Sequence, residues 1–206
     1  MMGAASLTIT DRAHDENARV ALGLKRHDPK LIDELIVQYQ HRLLRYLLYL
    51  TGDRETSEDL FQETWMRVLV RGAQFNGNSR FDTWLFTIAR NLVIDMRRKR
   101  TMSSLEAMCE TGDDDRAFEI PAGDRSPFDL CAARENGQRV AEAMLGLEPL
   151  NREVLVLRFY EEMSLEEIAS VTRAPLSTVK SRLYRGLAAL KPRIAAAERS
   201  TAEVVQ

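Results

Sequence analysis

Apolar residues recur at helical spacing through nearly all of this chain, and over residues 101–125 that spacing fails. A period near 3.6 buries one stripe of each helix, so such a chain packs helix against helix rather than building a sheet. The clearest stretch is HDPKLIDELIVQYQHRLLRYLLYLTGD, with Asp28 as N-cap, Pro29 at the first helical position and Gly52 as the stop. Ile32, Leu35, Ile36, Tyr39, Leu43 and Leu47 form its apolar stripe. A shorter helix over 17–26 precedes it. Helices over 56–71, stopping near Gly72, and over 81–100 follow, the latter with Phe81, Trp84, Leu85, Ile88 and Leu92 on one side.

Beyond the break the pattern predicts a helix over 129–145 and another opened by Pro149, carrying Leu150, Val154, Leu157 and Tyr160. A short helix in MSLEEIASV follows, with Ser164 and Glu167 as a capping box, and a final helix begins near Pro175. EVLVLRFY has strand propensity, but strand signals are weak elsewhere. The break contains ETGDDDRAFEIPAGDRSP, whose acid, Gly and Pro suit a connecting segment. The expected fold is all-α: two small helical domains, 15–100 and 128–195, joined by an acidic linker over 101–127. The C-terminal domain reads as a helix-turn-helix.

Net charge is −2, which alone argues mildly against autonomous nucleic-acid binding. The distribution is uneven. Residues 1–100 hold 16 Lys+Arg against 13 Asp+Glu, residues 101–136 hold 3 against 9, and residues 137–206 hold 10 against 9. Residues 168–197 contain six cations and no acid. Cys109 and Cys131 have neither CxxC spacing nor a neighbouring histidine, so zinc and a disulfide framework are not indicated. No secretory signal pattern opens the chain, and the longest apolar run, 46–50, is far too short for a membrane span. A cytoplasmic protein without membrane insertion is expected.

Catalytic chemistry is not indicated either. His14, His27 and His41 lie in separate segments without HExxH spacing, and there is no Gly-rich phosphate loop. Glu161, Glu162, Glu166 and Glu167 read as cap and solvent-facing residues. The expectation is a protein that is not an enzyme and needs no cofactor or metal.

The final helix, PLSTVKSRLYRGLAAL, carries the strongest functional signal. Leu176, Val179, Leu183, Leu187 and Leu190 fall in one narrow sector of a helical wheel and form the buried side. Ser177, Ser181 and Arg185 lie opposite, Thr178 and Tyr184 beside them, and Lys180 and Arg182 on the flanks. A solvated amphipathic helix would share much of this. The acid-free run, and the small Ala169 where two helices must approach, favour a helix-turn-helix whose second helix enters a major groove.

LNREVLVLRFYEEMSLEEIASVTRAPLSTVKSRLYRGLAAL resembles the C-terminal promoter-binding domain of extracytoplasmic-function (ECF) sigma factors. EDLFQETWMRVL and FNGNSRFDTWLFTIARNLVIDMRRKR resemble their N-terminal domain, in the family's order and spacing. The resemblance covers about 31–100 and 138–193. It implies an alternative sigma factor that binds bacterial RNA polymerase core and directs promoter recognition, melting and initiation. An anti-sigma factor is a further implied partner.

On this resemblance the −35 duplex falls to Arg173, Ser177, Thr178, Lys180, Ser181, Arg182 and Arg185. The opened −10 strand falls to Arg90, Asn91, Arg97 and Arg98, and to Phe75, Asn76, Asn78 and Arg80 of the loop GAQFNGNSR. That loop would capture a flipped base, with Phe75 either stacking on it or propping the loop. Trp84 and Phe81 read chiefly as core. Asp59, Gln62 and Glu63, opposite the core face of Phe61, Trp65 and Val68, would dock on polymerase. The acidic linker would lie in a basic polymerase channel. At Arg173 the family often has glycine, and a non-glycine residue forced to positive φ costs about 1 kcal/mol, so either the turn differs here or Arg173 recovers that cost through a phosphate contact. A self-sufficient helix-turn-helix regulator and a helical adaptor without a DNA role are the rival readings.

Overall fold

The structure is a computed structural model that describes the backbone of residues 4–108 and 135–204 and the side chains of 15–101 and 140–195. Cys109, Cys131 and the acids Asp113, Asp114 and Asp115 lie outside the described residues. The first block comprises α1 (Ala4–Lys25), α2 (Pro29–Thr51), α3 (Arg54–Arg71), a 3-10 turn (Gly72–Gln74) and α4 (Phe81–Met108). The second comprises α5 (Glu135–Leu145), α6 (Pro149–Leu155), a π-helical turn (Val156–Tyr160), α7 (Leu165–Thr172) and α8 (Leu176–Val204). Among the described residues there is no strand.

The helix boundaries follow from local chemistry. Asp28 accepts from the Lys30 N–H at 3.0 Å, and Gly52 closes α2 at φ 72°, where only glycine is free of Cβ strain. Asp53 caps α3 through the Thr56 N–H at 2.8 Å. Glu148 accepts from Leu150 and Asn151 at the start of α6, with Pro149 behind it. The Ser164–Glu167 capping box is complete, with bonds of 3.1 and 2.7 Å. Two helices run further than their pattern indicated. α1 begins at Ala4, and α4 continues through Met108 into the stretch assigned to the linker.

EVLVLRFY is helical, and its strand-like composition has a tertiary cause. Val154, Leu155, Val156 and Leu157 are all fully buried, because α8 covers one side of the segment and the first block covers the other. A helix buried all round loses its polar stripe and reads like a core strand.

In the first block, Leu35, Tyr39, Leu43 and Leu47 of α2 meet Trp65 and Val68 of α3 and Phe81, Leu85, Phe86 and Ala89 of α4. In the second, Ile168, Val171 and Val179 close over Leu155, Leu157 and Met163. The two cores are continuous. α4 packs on α7, and α2 packs on α6 and the π-helical turn. The two blocks are therefore docked against one another.

Candidate nucleic-acid and polymerase interfaces

The helix-turn-helix is built by α7 and α8. Arg173 sits between them at φ 50°, ψ 38°, in the left-handed region. Ala174 N–H closes back to the Ala169 carbonyl at 3.2 Å, so the turn keeps the geometry that glycine would take, with a cation exposed at its apex. Of the expected buried stripe of α8, Val179 is fully buried, while Leu176, Leu183 and Leu190 are partly so. Leu187 does not belong to it and is 38 % exposed. Its place is taken by Gly186. Val179, Leu183, Gly186 and Leu190 are spaced i, i+4, i+7 and i+11, which tracks a 3.6 period and brings Gly186 onto α6.

Ser177, Lys180, Ser181, Tyr184 and Arg185 are exposed on the far side of α8, and Thr178 and Arg182 are half-buried at its edges. Arg185 Nε donates to the Ser181 carbonyl at 3.3 Å. Among the described residues, no carboxylate pairs with Lys180, Arg182 or Arg185. A row of hydroxyls flanked by uncompensated cations matches what phosphate and base edges accept.

The −10 candidates are placed differently. Phe75 is 4 % exposed, edge-on to Phe81 at 5.6 Å and tilted on Trp84 at 5.3 Å, so its ring props the loop from inside rather than facing a base. Asn76 accepts from the Asn78 N–H at 3.0 Å, and both residues are exposed. Gly77 lies at φ 76°, and a Cβ there would stand 3.3 Å from the Asn17 carbonyl oxygen. Arg80 pairs with the buried Asp82 and lies 3.6 Å from Glu167.

Along α4 the four arginines are already engaged. Arg90 Nε donates to Glu153 at 2.7 Å with its side chain only 12 % exposed, and Asn91 is half-buried. Arg97 donates to the Leu50 carbonyl, Arg98 pairs with Asp95 at 3.2 Å, and Arg100 donates to Thr56 at 3.2 Å.

Glu161 requires a correction. Read as solvent-facing, it is 1 % exposed, and its two oxygens accept from Arg42 at 2.7 Å and Arg45 at 2.9 Å. The π-helical turn makes the difference by carrying Glu161 inward beneath α2. Burial works against the charge on Arg42, but Glu161, with Asp82 3.6 Å away and Tyr39, outweighs it and the Arg42 pKa is raised. Glu167 is the capping residue, and Glu162 and Glu166 are exposed. The Tyr46 hydroxyl donates to Glu153 at 3.0 Å, and burial followed by that carboxylate pushes the tyrosine well up.

On α3, Asp59 and Gln62 are exposed and Glu63 is partly so, its carboxylate holding Arg67 at 2.7 Å. Met66 (56 % exposed) and Val70 (75 % exposed) were missed by the pattern analysis. They continue that outer face at i+7 and i+11 from Asp59, a spacing that could have revealed them. Among the described residues, no group of three or more His, Cys, Asp or Glu is placed to hold a metal, and no helix is long and apolar enough to cross a membrane.

Comparison with known proteins agrees with this architecture. Residues 35–102 match Sigma-70 region 2, and residues 137–190 match Sigma-70 region 4. The chain is 36% identical to the ECF RNA polymerase sigma factor SigE of Mycolicibacterium smegmatis over 83% of its own length and 64% of that protein's, just under two thirds. It is 30% identical to the ECF RNA polymerase sigma factor SigW of Bacillus subtilis, over 83% of this chain and 92% of that one. The fold matches the sigma factor RpoE of Bartonella quintana, solved in complex with the anti-sigma factor NepR, with a TM-score of 0.61 at 24% identity over 79% of this chain and 96% of that one. CnrH, solved with the cytosolic domain of CnrY, gives a TM-score of 0.62 at 22% identity over 87% and 97%. With both sigma regions matched in order on a two-block helical fold, the chain belongs to the ECF sigma factors of RNA polymerase, alternative sigma factors that direct promoter recognition and transcription initiation.

Proposed function

We propose that this protein binds RNA polymerase core through the outer face of α3, reads a −35 duplex with α8 and holds the opened −10 strand with α4 and the loop before it. The observation that carries this is the cationic and hydroxyl face of α8, whose Lys180, Arg182 and Arg185 meet no carboxylate among the described residues, set on a helix-turn-helix within a sigma region. Arg185 and Ser181 contact base edges, while Arg173, Ser177, Thr178, Lys180 and Arg182 position the helix on the phosphates. Asn76, Asn78 and Arg80 take an extruded base, and Arg90, Asn91, Arg97 and Arg98 hold the strand.

Asp59, Gln62 and Glu63, with Met66 and Val70 as an apolar extension, dock on polymerase. The acidic linker occupies a basic polymerase channel. An anti-sigma factor regulates the protein, which acts in the cytoplasm by binding alone and without a cofactor. The net charge of −2 fits this, because polymerase supplies most of the affinity for DNA. A self-sufficient regulator would leave the first block without a use.

Transcription in vitro from a cognate promoter tests the proposal. Core polymerase should make the specific transcript only when this protein is added. Tight, specific duplex binding by the isolated protein together with no polymerase-dependent transcript would replace it with a self-sufficient regulator.

A further inference from the structure

Where the end of α2, α4 and the turn between α5 and α6 meet, the surface opens into a cavity of about 500 Å³. Leu50, Met96, Leu147 and Pro149 give it an apolar wall. Three arginines also line it. Arg97 and Arg100 stand one turn apart on α4 and are exposed, whereas Arg152 of α6 is only 7 % exposed. No Asp or Glu is among the residues that line the cavity.

Arg152 is held unlike the other arginines withdrawn from solvent. Arg42, Arg45 and Arg90 each meet a carboxylate, but none among the described residues forms an ion pair with Arg152. Its guanidinium donates to the Leu145 carbonyl at the end of α5, and Arg97 donates in the same way to the Leu50 carbonyl near the end of α2. Arg100 donates to the Thr56 hydroxyl. A cation suits a helix C-terminus, yet each of these bonds takes one N–H of the five that a guanidinium carries. The nearby acids are committed as caps, Glu148 to the Leu150 and Asn151 N–H groups and Asp53 to that of Thr56. Burial, and then the like charge of Arg97, lower the Arg152 pKa despite Glu148. An anion entering the cavity would favour the charge that these two effects oppose.

We propose that this cavity binds a small phosphorylated molecule with an apolar body, its phosphate taken by Arg97, Arg100 and Arg152 and its body laid on Leu50, Met96, Leu147 and Pro149. Guanidinium forks match phosphate oxygens two at a time, so clustered arginines without an acid make a phosphate seat. The lining holds no side-chain amide or carboxylate to read a polar body, which leaves apolar contact as the second half of recognition. The volume falls within the roughly 300–1,000 Å³ of small-molecule pockets. A strand phosphate shares the anionic half of this chemistry, and the test separates the two sources.

The test uses the full chain without polymerase and naphthyl phosphate as the probe, followed by its fluorescence. Inorganic phosphate and naphthol each supply half of the ligand, and each should bind roughly tenfold more weakly than the probe. Arg100→Ala, a change at an exposed position, and Arg152→Met should each weaken the probe by roughly fivefold or more at unchanged helicity, with naphthol affinity within about twofold of wild type. If Arg152→Met does not fold, Arg100→Ala decides alone. Wild-type affinity for the probe in folded Arg100→Ala overturns the site, and so does inorganic phosphate that binds as tightly as the probe. Displacement of the probe by a short oligo(dT) strand, with equal loss of strand affinity in Arg100→Ala, gives the arginines to the strand and overturns the small-molecule site. The transcription assay above is read on wild type without the probe, so failure of the sigma reading shows there and failure of this site shows here.

Discussion

Gly186 of α8 lies so close to Leu155 of α6 that a Cβ built on the glycine would stand 3.0 Å from Leu155 Cγ and 3.4 Å from the Asn151 carbonyl oxygen. The backbones of α8 and α6 come close here, and Leu155 is fully buried, with little room to swing aside. Gly186→Val gains some helix propensity, but overpacking at such a site costs about 1–3 kcal/mol and outweighs it. Urea unfolding should show a net loss of about 1–2 kcal/mol. An unchanged midpoint would mean that α8 can shift outward freely.

Arg185 is exposed, unpaired by any carboxylate among the described residues, and set one turn from Ser181. Arg185→Ala should weaken −35 binding by roughly 1–3 kcal/mol and relax sequence preference, as loss of a base contact does. Lys180→Ala should weaken cognate and scrambled duplexes alike. Equal losses on both duplexes for Arg185→Ala would make it a phosphate contact only.

The left-handed Arg173 carries a backbone penalty that glycine would not. Arg173→Gly should stabilise the folded protein by up to about 1 kcal/mol in denaturant unfolding. If the side chain reaches a phosphate when bound, the same variant should weaken binding to every duplex and flatten its salt dependence. A stabilised variant with full DNA affinity would assign Arg173 to the turn alone.

Asp59 and Glu63 stand on the outer face of α3, away from Trp65 and Val68, and neither supports the core. Asp59→Arg with Glu63→Arg should keep native helicity yet fail to co-purify with core polymerase, since charge reversal at an exposed rim weakens association without unfolding. Met66→Ser should give a milder loss. Normal core binding by the folded double variant would move the contact elsewhere.

Neutralising Asp113, Asp114 and Asp115 to Asn should change the ratio of abortive to full-length RNA more than promoter binding. Unchanged yields of both would reduce the linker to a tether.

Features under short-range chemical control were legible in the amino-acid order alone. Asp28, Pro29 and Gly52 mark α2 because a cap, a fixed φ and a left-handed stop each act within one turn of the residue that carries them. Ser164 and Glu167 mark α7 for the same reason, and the hydroxyl and cationic face of α8 is legible because helical periodicity alone separates it from the apolar side. The remaining features depend on long-range packing. Gly186 replaces Leu187 in the packed stripe because the close approach of α6 selects for the absence of a side chain. Phe75 turns inward because Phe81 and Trp84 wait beneath it. Glu161 looks like one more surface acid in FYEEMS, yet it is buried because a π-helical turn aims it at two arginines, one of them 119 positions away along the chain. A charge is affordable inside a protein only where its partners are brought to it, and partners that distant are supplied by the fold.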